Sequence, residues 1–231
     1  MPDQTNLQEK HFNVRVKEAD FWTQKLVEFI KKKGHIDDFR KATKEEDRDL
    51  LIDYWFKYPG EQEYKPIGFK LRIDPARRDI PVVYNQPFFG TNSPKTVLGR
   101  DYRCLLGDVV QYYVAVKNAD KEFEEIYRIS KSKLLPLVNG VVSSWKKGES
   151  AFTDLIPYDS FTSDHDFLQG LQSGKRVRRI WRTNQAEVWW QKNPNENYSK
   201  INLYIPEEFK EESIQVPFAN YKEMLKDYQS N

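Results

Sequence analysis

An aspartate, a glycine and a lysine stand at a spacing that could support chemistry between Arg48 and Arg72, in RDLLIDYWFKYPGEQEYKPIGFKLR. Leu50 to Phe56 and Ile67 to Ile73 are rich in β-forming residues, and Tyr58-Pro59-Gly60-Glu61 supplies turn chemistry between them. The pattern predicts two antiparallel strands. With the turn centred between Gly60 and Glu61, Asp53 faces Gly68 and Leu51 faces Lys70. Opposite residues share a sheet face, as do residues two apart on one strand, so Asp53, Gly68 and Lys70 fall together. A carboxylate and an ammonium in an otherwise apolar hairpin are costly to bury unless they pair or grip a ligand, such as an ion-bound phosphate. A slip of one residue would put them on opposite faces.

An acid in the first strand of a hairpin, followed by a second strand ending in acid-x-Lys, is similar to the core of the PD-(D/E)XK nuclease superfamily. The resemblance runs from about Ala19 to Val116. It implies a restriction-endonuclease-like α/β core and metal-dependent hydrolysis of phosphodiester bonds, in DNA, with Mg2+ or Mn2+. Acids would hold the ion, and a lysine would position and activate water. Asp53 matches the first acid and Lys70 the lysine. Gly68 stands where the second acid belongs, so another acid enters the site, metal binding is weakened, or the domain binds nucleic acid or assembles with proteins without cutting. The candidate acids are Glu28, Asp47, Asp74 and Asp79. Each also has an ordinary reading: Glu28 as a solvated helix acid, Asp47 in the solvated run Glu45-Glu46-Asp47, and Asp74 and Asp79 as surface partners of Arg77 and Arg78.

Helices and further strands must hold this hairpin. Glu18 to Lys33 reads as an amphipathic helix with Trp22, Leu26, Phe29 and Ile30 on one side, closed by Gly34. His11 to Val16 reads as a short strand before it. Val82 to Tyr84, Val109 to Val116 and Glu122 to Ile129 read as strands, and Ser130 to Trp145 as a helix. Arg100 and Arg103, in a loop before the VVQYYVAV run, carry planar donor forks suited to phosphate or to tying the loop down.

The later part of the chain has a different character. Gly148 to Gly174 is rich in Asp, Ser, Thr and Gly, and its Asp164-His165-Asp166 reads better as a helix start than as a metal cluster. Three strand-like runs occupy 175 to 205, where Lys175, Arg176, Arg178, Arg179 and Arg182 lie beside Trp181. Cations and rings in such a pattern suit a nucleic-acid groove, and equally a half-buried meander with arginines on its outer face. The expected architecture is a mixed central sheet flanked by helices over 1–149, with a β-rich C-terminal region over 150–231 that could pack into the same domain.

Composition bounds the partners. With 37 basic and 35 acidic residues the net charge is only +2, so a polyanion must be recognised through local patches. A lone cysteine excludes an internal disulfide and suits a reducing cytoplasm, and no apolar run is long enough for a membrane span. The partners expected are DNA and, for assembly, a second copy or another protein.

Overall fold

The computed structural model describes residues 4–72, 74–88, 95–147, 177–182, 186–192 and 200–230. Helix α1 runs over Gln4–Lys32, and the segment read as a strand, His11 to Val16, belongs to it. Trp22, Leu26, Val27, Phe29 and Ile30 are buried along one side at helical spacing. Lys31 and Lys32 lie in the last turn, and Gly34, at φ 78°, ends the helix in a left-handed conformation.

Two sheets follow. The first has six strands in the order β1 (Asp38–Lys41), β2 (Tyr54–Lys57), β3 (Tyr64–Arg72), β6 (Gln111–Lys117), β7 (Phe123–Ser130) and β11 (Glu212–Gln215). β1, β2 and β3 form an antiparallel meander, and β6 lies parallel to β3, so the sheet is mixed. The crossover from β3 to β6 carries β4 (Ile80–Phe88), β5 (Lys95–Leu98) and helix α2 (Arg100–Leu106). The second sheet runs β5, β4, β10 (Lys200–Ile205), β9 (Glu187–Lys192) and β8 (Val177–Arg182). β10 pairs with β4 and β11 with β7, so strands from after residue 150 complete both sheets. Among the described residues, no helix is long and apolar enough to cross a membrane.

The hairpin register agrees with the turn chemistry: Tyr54 faces Ile67 and Trp55 faces Pro66. The first strand is shorter than its β-formers suggest. Glu46–Leu50 is a turn of π-helix, and Leu51 has φ 58°, so the chain swings into the sheet only at Asp53 and Tyr54. This turn starts with a capping box. The Thr43 hydroxyl accepts the Glu46 N–H (3.2 Å), and the Glu46 carboxylate accepts the Thr43 N–H (2.8 Å).

Both faces of the first sheet are covered. Tyr113 and Ala115 of β6 join Tyr54, Phe56 and Phe69 beneath α1 and the C-terminal helix α4 (Phe218–Gln229). Trp22 stacks on Tyr221 with ring centroids 5.4 Å apart. Tyr112, Val114 and Val116 point the other way, toward the second sheet and α3 (Lys131–Lys147). Such two-sided burial explains the unbroken apolar run in β6.

α2 docks on β4 through Gly99. The Gly99 N–H donates to Tyr84 O at 2.7 Å, and a Cβ at Gly99 would stand 2.1 Å from Val83 O. The obstacle is backbone and cannot rotate away. Gly99→Ala is therefore expected to cost about 3 kcal/mol or more, read as a lower urea midpoint at unchanged slope. Gly140→Ala, where nothing lies within 4 Å in α3, should instead be neutral or gain up to ~1 kcal/mol.

Candidate active site

The Asp53 backbone extends the β2–β3 ladder by one bond, its N–H donating to Ile67 O at 3.0 Å. Its carboxylate turns along the sheet edge, where Oδ2 accepts the Phe69 N–H at 2.8 Å. Arg100, the first residue of α2, donates through Nη2 to Asp53 Oδ1 at 3.2 Å, and the same nitrogen contacts Asp47. Asp47 is free to face Arg100 because its neighbour Glu46 is held by a two-pronged bond from Arg40, at 2.8 Å on each prong. That guanidinium holds the Glu46 carboxyl at a pKa of about 2.

Lys70 comes from the next strand. Its Nζ donates to both oxygens of Asp101 at 3.0 and 2.9 Å, and Asp101 Oδ2 also accepts the Val83 N–H at 2.9 Å. Asp101 is 6% exposed, so Lys70 and the Val83 amide compensate a buried charge. An ammonium has three donors, and two are used here, while the lysine lines the open cleft.

Asp53, Lys70, Asp47 and Arg100 share one cleft of ≈ 550 Å³, with Tyr54 in its wall and Lys41, Thr43 and Lys44 along it. Asp20 of α1 lines it too and pairs with Lys41 at 3.1 Å. Burial pushes the Asp53 carboxyl above its ordinary range, against the opposing pull of the Phe69 N–H and Arg100. The Tyr54 hydroxyl is buried with no hydrogen-bond partner among the described residues.

Gly68 cannot regain an acid in place. A Cβ there would lie 2.8 Å from Cδ2 of Tyr112, a fully buried ring, and 3.3 Å from Cys104 Sγ. Cys104 donates to Leu51 O at 3.2 Å, and burial pushes its thiol up to about 12. It is packing, with no nucleophilic role.

Three of the candidate acids lie elsewhere. Glu28 accepts from Gln24 and pairs with Lys25 at 3.2 Å; it is two turns beyond Asp20, about 12 Å along the helix. Asp74 caps its own turn, accepting the Ala76 N–H at 3.1 Å. Asp79 is captured by Arg72 at 3.0 Å and Arg77 at 2.6 Å. Arg103 is exposed on α2, which is a helix where a loop was expected. Lys175, Arg176 and the Asp164-His165-Asp166 run lie outside the described residues. Arg178, Arg179, Trp181 and Arg182 are on β8, with two strands between it and β4; their side chains also lie outside the described residues. Asp101 and Asp20 are the acids that sequence reasoning missed. The signal for Asp101 was Gly99 followed by a short helical run.

The donor set suits a hard divalent cation of limited protein ligation. One atom, Arg100 Nη2, reaches both Asp47 and Asp53, so a single positive centre can be shared by the two carboxylates. Among the described residues no three acids, histidines or cysteines converge as a metal cage. Mg2+ is commonly bound through one or two carboxylates, with water and substrate phosphate completing its shell. No family model, curated protein or solved structure matches this chain.

The raised Asp53 pKa has a defined consequence. A carboxyl that binds its proton more tightly when folded destabilises the fold while ionised, and the penalty disappears as pH falls through the folded pKa. Asp53→Asn keeps an acceptor for the Phe69 N–H and is expected to melt at or above the parent temperature at neutral pH. The difference should close on acidification, as followed by circular dichroism. Tyr54→Phe removes an unpartnered buried hydroxyl and should leave stability unchanged or raise it by about 1 kcal/mol.

Proposed function

We propose that the cleft hydrolyses phosphodiester bonds in DNA with Mg2+ or Mn2+, as a divergent member of the PD-(D/E)XK nucleases with a restriction-endonuclease-like core. The observation that carries this reading is that Asp53 and Lys70, from adjacent strands, line one open cleft together with a second carboxylate, Asp47. Asp47 and Asp53 would hold the cation in the place that Arg100 Nη2 now takes. When bound, the ion supplies charge that polarises the phosphate and acidifies a water. Lys70, held by Asp101, would offer its remaining N–H to the attacking water. Arg100, released from the carboxylates, offers a planar fork to a phosphate oxygen. Lys41 and Lys44 extend the positive lining for a nucleic-acid backbone. The unpaired, buried Cys104 fits work in a reducing cytoplasm.

A second reading is a nuclease-like module that binds nucleic acid, or assembles with a protein or a second copy, without cutting. What favours it is that Gly68 has no room for an acid and that Arg100 already stands between Asp47 and Asp53.

One assay separates the two. Purified protein is incubated with plasmid and with single-stranded DNA, with and without Mg2+ or Mn2+, alongside Asp53→Ala and Lys70→Ala. The hydrolytic reading expects metal-dependent cutting reduced by about a hundredfold or more in either variant. It also expects activity to fall on acidification, because protonated Asp53 cannot hold the ion. Salt-sensitive binding without cutting supports the second reading. Cutting that survives Asp53→Ala rejects the site.

A further inference from the structure

Ala19 of α1 and Leu71 of β3 line both the cleft and a second cavity of ≈ 400 Å³, whose remaining walls are Trp22, Phe123, Arg15, Glu18 and Lys117. This volume lies within the range of about 300–1,000 Å³ common for small-molecule sites. The apolar part of the lining is Ala19, Leu71, Trp22 and Phe123, with Trp22 and Phe123 ring centroids 5.4 Å apart, and Arg15, Glu18 and Lys117 are its charged part. Lys117 Nζ sits 4.6 Å from the Phe123 ring centroid, and Glu18, in the same lining, attracts it electrostatically. Burial lowers the Lys117 pKa. Arg15 is exposed beside the cavity. A ligand that fits here has a flat apolar body and a negative charge nearby.

We infer that this second cavity receives an unpaired nucleobase from a strand whose phosphate lies in the Asp53–Lys70 cleft, so that single-stranded DNA or an unpaired end is the preferred substrate over intact duplex. The inference rests on the phosphodiester reading of the cleft. A base inside a duplex is stacked on both sides and cannot enter a walled cavity without being extruded. An unpaired base can, and apolar and aromatic walls reward its entry while Lys117 and Arg15 neutralise the flanking phosphates. The two spaces adjoin at Ala19 and Leu71, so one strand lying across both would place its phosphate in the cleft and its base in the cavity.

The test measures binding, which does not depend on turnover. Fluorescence anisotropy with the full chain carrying Asp53→Asn compares a labelled oligothymidylate, an abasic oligomer of the same length, and a duplex of the same length, all with Mg2+. The oligothymidylate should bind roughly tenfold tighter than either other probe, about one base's worth of stacking. Lys117→Ala, and independently Ala19→Leu, which crowds the shared wall with a good helix former, should each remove most of that preference. Melting temperatures equal to the parent's would show that both variants fold. Equal affinity for the three probes overturns the inference, as does a single-strand preference untouched by both substitutions. A protein that cuts nothing but shows the full pattern fails the hydrolytic reading and passes this one.

Discussion

The contact between Lys70 and Asp101 ties the parts of this molecule together at the cleft. Lys70 belongs to the first sheet, Asp101 to α2, and the Val83 amide that shares the carboxylate to the second sheet. Asp101 is almost wholly buried, and a buried carboxylate persists only where donors saturate it. Once it is seated, the preceding residue, Arg100, emerges at the N-terminus of α2 toward Asp53 and Asp47. The close approach of Gly99 to β4 fixes the same position from the backbone side. The position of the cleft arginine is therefore set by a charge pair and a glycine, neither of which touches Asp53.

Electrostatics then divides the acids of this chain into two groups. Asp79, Glu46 and Glu28 each have a nearby cation in the same or an adjacent element, and they serve as local fastenings. Asp47 and Asp53 share a single nitrogen that comes from a different element. Sharing one cation leaves the pair under-compensated, and burial adds to the strain on Asp53. Such an arrangement is costly for stability and is the kind that a binding site retains.

Much of the first sheet was legible because its signals are local. Turn residues at 58–61 fixed the hairpin register, and Trp22, Leu26, Phe29 and Ile30 marked the buried side of α1. The strand start was misjudged because Leu50 to Ile52 are apolar, and composition cannot separate a strand from a buried turn. The candidate acids were harder still, since which carboxylate faces a cleft depends on pairing between distant elements. Glu28 lies on the same helix as Asp20, but the residues of α1 that line the spaces beside Leu71 run only from Arg15 to Thr23. Asp79 looked available until Arg72, seven residues upstream, was found to hold it. Asp101 sits in a helix of only seven residues, too short for helical periodicity to reveal its buried side.

The central claim is that Asp53 and Asp47 converge on one cation position inside an open cleft. Titration of Mn2+ into the purified chain, followed by calorimetry at neutral pH, tests it without requiring any reaction. The account predicts a single site whose binding is lost in Asp53→Asn and in Asp47→Asn, and weakens as the solution is acidified. Absence of binding, or binding that persists in both variants, would contradict it.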